Sequence, residues 1–339
     1  MSEREKEPLL RVEHLKKYFQ TPAGTLHAVD DVNFTINEGE TLGVVGESGC
    51  GKSTMGRTIL RLHEPTSGKV YFEGKDVTAC NKKELNDLRE EMQIIFQDPF
   101  ASLNPRMTVS EAIAEPLLIR KKFHKNDHEG LQKRVEEVMD LVGLARRLVN
   151  SYPHELDGGR RQRIGIGRVL ALRPKFVVCD EPVSALDVSI QAQILNLMQD
   201  LQEQLGLTYM FITHDLSVVK HLSNNIAVMY LGQLVEKCEA KKLFRNPVHP
   251  YTLALLSAIP IPDPDVKMNR ILLEGELTSP INPTPGCRFA KRCLYAKPEC
   301  TQKNIDLVEV EPGHFVACVL AKDFHEKGGA PAAPQTENG

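Results

Sequence analysis

Residues 46–54 read Gly46-Glu47-Ser48-Gly49-Cys50-Gly51-Lys52-Ser53-Thr54 and follow directly on the apolar run Thr41-Leu42-Gly43-Val44-Val45. This is the pattern G-x-x-x-x-G-K-[ST] at a strand-to-helix junction, and no other stretch restricts the fold so tightly. Glycines let successive backbone N–H groups turn toward one anion. A helix opening at Lys52 adds the positive end of its dipole, so a nucleotide triphosphate tail fits the turn. Lys52 is expected to reach the β and γ phosphates and Ser53 to hold Mg2+. The bland alternative, a glycine turn that merely punctuates strand and helix, needs Lys and Ser at these offsets by coincidence.

A chain of 339 residues has room for about two domains and a well-buried core. Its 42 Lys and Arg are slightly outnumbered by 45 Asp and Glu, a net charge of -3, which disfavours a nucleic-acid binder because such proteins carry a basic excess or stripe. There is no apolar stretch near the roughly 18–20 residues needed to span a bilayer, and Met1 to Glu7 lack the apolar core of a secretion signal. The expectation is a soluble cytosolic chain. Of its eight cysteines, Cys50, Cys80, Cys179 and Cys238 are scattered singly, whereas Cys287, Cys293, Cys300 and Cys318 crowd one C-terminal region. Disulfides are not expected in a chain that is neither small nor signal-bearing.

Alternation of apolar and polar residues predicts strands at Leu9 to Val12 and Val32 to Ile36, with further strand signals at Val70 to Phe72 and Met92 to Phe96. Between Thr108 and about Tyr152 the period becomes helical, with Leu131, Val135, Val138 and Val142 on one face, as in an inserted helical subdomain. A short buried strand is expected at Phe176 to Cys179, then a helix with the stripe Ile194, Met198, Leu201, Leu205, then a strand at Thr208 to Thr213. Strands alternating with helices imply a largely parallel sheet covered on both faces. Beyond Gly232 come a strand, a short helix near Lys241, a linker at Pro260 to Pro264, and a Gly, Ala and Pro-rich tail predicted to be disordered.

Nucleotide hydrolysis needs a carboxylate for Mg2+ and a group that positions or deprotonates the attacking water. Asp180-Glu181, closing an apolar strand where the carboxyl ends of parallel strands gather ligands, supplies both. Gln97 and His214 end strands on the same expected edge. Either alone would be an ordinary surface cap; with the acid pair they form a candidate γ-phosphate shell, Gln97 touching Mg2+ or the water and His214 donating to the terminal phosphate.

These elements, in this order, resemble an ATP-binding subunit of an ABC transporter. The phosphate loop, Gln97, the stretch Leu156 to Arg163, Asp180-Glu181, Ser184-Ala185-Leu186-Asp187 and His214-Asp215 match over roughly residues 8–255. The resemblance implies an α/β P-loop NTPase fold of ABC type: a mixed, largely parallel sheet at 8–255 with a helical subdomain at about 108–165, a cysteine-bearing C-terminal extension at 256–324, and a tail at 325–339. It implies that ATP and Mg2+ are bound, that Ser53, Gln97 and Asp180 serve the Mg2+, that Glu181 is the general base, and that Asp187 belongs to a loop between paired sites. It also implies an aromatic that stacks on adenine, for which Phe19 is the best match and Tyr18 the alternative.

A narrower resemblance is to the dipeptide and oligopeptide importer subfamily, which also holds nickel importers. It rests on Phe96-Gln97-Asp98-Pro99-Phe100-Ala101-Ser102-Leu103-Asn104-Pro105, on His249-Pro250-Tyr251-Thr252 and on Pro285-Gly286-Cys287. It implies a peripheral ATPase on the cytoplasmic face of the membrane, two membrane permease subunits, and an external solute-binding protein as an indirect partner. A soluble ABC-type ATPase acting on DNA repair or ribosomes is the rival of another class. It usually carries two cores or long coiled coils, and this chain has one core and no heptad run.

Two positions depart from the family pattern Leu-Ser-Gly-Gly-Gln, whose serine contacts the γ-phosphate bound on the other subunit: this chain has Leu156-Asp157-Gly158-Gly159-Arg160. A carboxylate about 4 Å from a phosphate charge is disfavoured by about 4 kcal/mol at an effective dielectric near 20. One reading is pairing with a different ATPase subunit, giving one competent and one impaired ATP site. The other is that Asp157 starts a helix and Arg160 neutralises it. The spacing Cys287-x5-Cys293-x6-Cys300-x17-Cys318 lacks the paired C-x2-C of common zinc sites. The resemblance implies a [4Fe-4S] cluster, with Zn2+ or unliganded cysteines as alternatives. Cys50, inside the phosphate loop, predicts that thiol reagents block nucleotide binding and that ATP protects.

Overall fold

The computed structural model describes residues 7–123, 127–260, 270–273, 275 and 279–330. In chain order the strands are β1 (Leu10–Thr21), β2 (Gly24–Ile36), β3 (Thr41–Val45), β4 (Ser67–Phe72), β5 (Lys75–Asp76), β6 (Met92–Ile95), β7 (Phe176–Asp180), β8 (Thr208–Thr213), β9 (Asn225–Tyr230), β10 (Gln233–Glu239), β11 (Val308–Glu311) and β12 (His314–Val316). The α-helices are α1 (Lys52–Ile59), α2 (Lys82–Glu91), α3 (Pro99–Ser102), α4 (Val109–Ile119), α5 (His128–Leu141), α6 (Gly158–Leu170), α7 (Val188–Leu205), α8 (Leu216–Leu222), α9 (Ala240–Arg245), α10 (Pro250–Ser257) and α11 (Ala321–Glu326). Two compact units result. One is built from the chain up to residue 36, residues 41–78 and the chain from 212 on, and the other from 37–40 and 79–211.

In the first unit, β1 and β2 form an antiparallel hairpin, β4 adds to the other edge of β1, and β5 pairs with β4. Both hairpin strands are longer than the alternation predicts. The register shifts between Val12 and Leu15, and twice more before Tyr18, so the apolar face changes sides and the period is lost along a strand that continues. A second sheet carries the phosphate-loop strand. Here β3 pairs parallel with β9, which pairs antiparallel with β10, followed by β12 and β11. Every residue of β3 is buried, as are Ile226 to Tyr230 of β9, an apolar run not singled out in the sequence. The C-terminal hairpin β11–β12 is therefore hydrogen-bonded into the same sheet as the phosphate-loop strand. α11 runs to Glu326 and Ala330 is buried, so the tail predicted from residue 325 begins with ordered chain. The remainder of that tail, and Ile261 to Pro264 of the expected linker, lie outside the described residues.

In the second unit, β6 and β7 pair in parallel, with Met92 opposite Phe176 and Ile95 opposite Cys179. Asn81 and Thr108 start α2 and α4 with reciprocal capping boxes. Val135, Val138 and Val142 are buried, as the helical period requires. Leu205 is the exception on the α7 stripe at 46% exposed, because Gly206 ends the helix there in a left-handed conformation. Arginines of α6 close backbone accounts around it. Arg163 donates to Val142 O at 2.6 Å, Arg161 to Pro153 O at 2.7 Å, and Arg168 to Ser102 O at 2.6 Å and to the Glu115 carboxylate at 2.8 Å. The basic run is thus a set of braces for the helical subdomain. β8 begins in this unit and ends in the first.

Candidate functional site

The phosphate loop leaves the buried end of β3 and enters α1 through Gly51, which precedes the helix in a left-handed conformation with no side-chain cap. The first-turn N–H groups of α1 therefore face the loop, and its first turn holds no acidic residue to compete with an anion. Close packing dictates two of the glycines. A Cβ on Gly46 would meet Met229 O at 2.1 Å, and one on Gly51 would meet Ala28 O at 2.0 Å. Lys52 is 5% exposed, and its ammonium donates to Gly46 O at 2.7 Å and Glu47 O at 3.0 Å. Cys50 is 1% exposed, and burial pushes its thiol up despite the pull of Lys52. This departs from the expectation of a ready target for thiol reagents, since attack needs an accessible thiolate.

The hairpin turns the two aromatic candidates to opposite faces by strand alternation. Tyr18 stacks on His27 with ring centroids 3.8 Å apart and donates its hydroxyl to Asp30. Phe19, on the opposite face, meets His63 edge-on at 5.8 Å, with the Lys17 ammonium 4.7 Å from its ring centre. The rings of Tyr18 and Phe19 therefore both have neighbours within the chain, and Tyr18 alone spends its hydroxyl on a carboxylate. His214 follows β8 in this same unit, and the next residue, Asp215, caps α8 by accepting from Ser217 N–H at 2.8 Å.

The second unit carries the acid pair. Asp180 ends β7 at 1% exposed. Glu181 takes φ +48°, a left-handed backbone that costs a non-glycine residue about 1–3 kcal/mol and that clusters at functional positions. The Gln97 amide donates to the Glu181 carboxylate at 2.8 Å, so these two predicted residues are brought together. Ser184 Oγ donates to Glu181 O at 3.1 Å, tightening the turn into Asp187, which precedes α7 without a side-chain cap bond. Asp157 is the N-cap of α6, accepting from Arg160 N–H at 2.8 Å and pairing with the Arg160 guanidinium at 3.0 Å. Within one chain, then, Asp157 starts the helix and Arg160 neutralises it. Gly158 and Gly159 open that helix, and a Cβ on Gly159 would lie 2.7 Å from Ile190.

Cys287, Cys293, Cys300 and Cys318 line one small cavity together with His249, Phe289 and Tyr295. Cys287 N–H donates to Cys300 O at 2.7 Å, and two sulfurs accept backbone N–H groups, Cys300 from Lys297 and Cys318 from Leu320, each at 3.4 Å. Burial, joined by the charge of neighbouring cysteines, pushes Cys287 up to about 11 and Cys318 up to about 12. As free thiols they keep their protons at neutral pH, and binding as thiolates would release them. Among the described residues, the trio of His, Cys, Asp or Glu ligand atoms within 4.8 Å of one another is Glu236, Cys238 and His314, so no three cysteine sulfurs are that close. Glu236 is spent on Val248 N–H, His249 N–H and His314 Nε2 at 2.8–2.9 Å, which makes that trio an internal hydrogen-bonded group.

Sequence reasoning missed two residues that touch the loop and a third that braces the β1–β2 hairpin. Tyr251 Oη accepts from Glu47 N–H at 2.9 Å, and Arg292 forks onto the Glu47 carboxylate at 2.8 and 3.2 Å. Arg288 pairs with Asp30 behind Tyr18 and donates to Leu231 O. Tyr251 stands in a stretch that serves in the sequence only as a family marker, and Arg288 and Arg292 fall between two cysteines in no motif of their own. No spacing rule links positions so far apart in the chain.

Residues 29–184 match the family model "ABC transporter", and residues 235–300 match "Oligopeptide/dipeptide transporter, C-terminal region". The oligopeptide transport ATP-binding protein OppF of Salmonella typhimurium is 54% identical over 307 residues, 90% of this chain and 91% of that protein. The chain belongs to the ABC transporter ATP-binding family. The Bacillus subtilis protein AppF, also named an oligopeptide transport ATP-binding protein, is 48% identical over 94% of this chain and 99% of its own length. Among solved structures, the ATP-binding cassette MJ0796, a dimer in a post-hydrolysis state with ADP and phosphate, is 30% identical with a TM-score of 0.62, covering 68% of this chain and 98% of that one. A second, cbiO1 from Clostridium perfringens, part of an ABC transporter complex, is 29% identical with a TM-score of 0.63, covering 70% and 91%. The fold is thus the P-loop ABC cassette, and the activity is ATP hydrolysis. No helix among the described residues is long and apolar enough to cross a membrane.

Proposed function

We propose that this chain is the ATP-hydrolysing subunit that powers import of oligopeptides through an ABC transporter, docked on the cytoplasmic face of two permease subunits that an external solute-binding protein supplies. The observation that carries the solute class is the match of residues 235–300 to the oligopeptide/dipeptide C-terminal region, joined to relatives named for oligopeptide transport along nearly the whole chain. ATP would sit with its phosphates on Gly46 to Thr54 and its adenine on Phe19. Ser53, Asp180 and Gln97 would serve the Mg2+, Glu181 would take the proton of the attacking water, and His214 would donate to the γ-phosphate. Two cassettes closing on ATP and reopening after hydrolysis would drive the permease subunits.

The second cassette is proposed to be a different ATPase chain. A partner's γ-phosphate would meet Asp157 and Gly158 of this chain, and a carboxylate there weakens one of two sites unless Arg160 screens it. The four cysteines are proposed to hold a [4Fe-4S] cluster. Four tetrahedral Zn–S bonds of about 2.3 Å would hold the sulfurs only about 3.8 Å apart. Among the described residues no three of these sulfurs lie within 4.8 Å of one another, and the N–H groups aimed at two of them suit sulfur-centred charge. Its chemistry here is that of a cross-link between four chain segments.

The test is recovery of tagged Glu181→Gln chain from detergent-solubilised membranes with ATP and Mg2+, which slows reopening, followed by mass spectrometry. Two permease subunits and a second, different cassette are the expected companions, and peptide uptake should fail in cells carrying the variant. Companions from a nickel importer would reassign the solute. Ribosomes or DNA-repair proteins, with nothing from the membrane, would overturn the transport reading.

A further inference from the structure

A carboxylate inside a loop that cradles phosphates is a repulsive charge unless a cation meets it. Glu47 is such a carboxylate, and the cation is supplied from 245 positions away by Arg292. The pair is well shielded, with the Arg292 side chain 11% and the Glu47 side chain 28% exposed. Glu47 is also held at its backbone, its N–H by Tyr251 Oη and its carbonyl by Lys52 Nζ. Arg288 meets a second carboxylate, in the β1–β2 hairpin. It reaches Asp30, which receives the hydroxyl of Tyr18, the neighbour of Phe19. Both arginines stand in the short span bracketed by Cys287 and Cys293. Between them Phe289, 2% exposed, lies 5.3 Å from Tyr230 and 5.4 Å from Tyr251, ring centre to ring centre. A single turn at Ala290–Arg292 leads into Cys293, so where the two sulfurs are held sets where both guanidiniums point.

We infer that Arg292 and Arg288 are positioning residues for the nucleotide, and that through them the four-cysteine site governs the ATP affinity of the phosphate loop. This rests on the placement of ATP proposed above. Ligation of Cys287 and Cys293 holds the span rigid and keeps Arg292 on Glu47. Loss of ligation frees the span, leaves Glu47 unneutralised beside the triphosphate, and loosens the strand that carries Phe19. The link needs no electron transfer and applies whichever metal the thiols hold.

The test is titration of the anoxically purified full chain with a fluorescent ATP analogue and Mg2+. Arg292→Met should weaken binding about tenfold, Arg292→Lys less, and Glu47→Gln added to Arg292→Met should recover most of the loss, because the repelling charge is gone. The iron and zinc content of Arg292→Met should equal that of the unaltered chain, which separates a lost clamp from a lost cysteine site. Cys293→Ser should weaken binding to a similar degree and add little to Arg292→Met. If Cys293→Ser fails to fold by circular dichroism, removal of bound metal from the unaltered chain by a chelator replaces it, with the same expectation. Arg292→Met binding like the unaltered chain overturns the inference. So does a cysteine effect that adds in full to Arg292→Met. Failure of the ATP placement would be seen separately, as a Lys52→Ala chain that binds the analogue undiminished.

Discussion

Gly51→Ala is a severe test of how the phosphate loop is built. Gly51 has φ +107°, and a Cβ there would lie 2.0 Å from Ala28 O and 3.0 Å from the Met229 methyl. Ordinary contact starts at 3.4 Å, so the Ala28 carbonyl, part of β2, would have to retreat by about 1.4 Å. The positive φ costs about 1–2 kcal/mol and the overpacking about 1–3 kcal/mol, a sum of about 2–5 kcal/mol within a total stability of about 5–15 kcal/mol. Gly49→Ala is the control, since Gly49 has φ +79° but nothing within 4 Å of its would-be Cβ, so only the first cost applies. Scanning calorimetry on both variants should place Gly51→Ala below Gly49→Ala by about 2–12 °C, at about 2–4 °C per kcal/mol. ATP-analogue binding should be lost in Gly51→Ala at temperatures where it remains folded. If the two variants melt within about 1 °C of each other, the close approach of Ala28 is not what demands glycine at position 51.

Other consequences are open to direct measurement. Glu181→Gln should lower the hydrolysis rate of the assembled transporter by about 100-fold or more while leaving ATP binding intact, read from steady-state turnover beside nucleotide titration. Asp157→Ala should destabilise the chain by about 1 kcal/mol through loss of the α6 cap, whereas Asp157→Ser, which still caps, should stay within about 0.5 kcal/mol by chemical denaturation. In the assembled pair Asp157→Ser should raise hydrolysis, and unchanged turnover would remove the case for unequal sites. Cys50 should resist alkylation at neutral pH in the folded chain and react once urea unfolds it, as followed by mass spectrometry of the peptide. Rapid labelling of the folded chain would contradict its burial.

Local pattern carried much of this protein into view. The phosphate loop, the acid pair and His214 were legible because the chemistry at each position depends on residue type and on the strand end that precedes it, whereas the stretch Leu156 to Arg163 was legible only through the family resemblance. β7 and β8 were legible because buried strands are short runs dominated by apolar residues. β1 and β2 were cut short because bulges shift the apolar face and erase the period that marks a strand. Where Phe19 and Tyr18 point needed the hairpin, which turns neighbours to opposite faces and occupies Tyr18 with Asp30 and His27. That Asp157 caps α6 and that Arg160 folds back onto it came only with the helix turn that brings the two together. Above all, only tertiary structure joins Arg292 to Glu47 and Arg288 to Asp30. Those contacts go with the packing of Phe289, which stands between the two arginines, against Tyr230 and Tyr251, and contacts between side chains so distant in sequence are decided by burial, which no local pattern encodes.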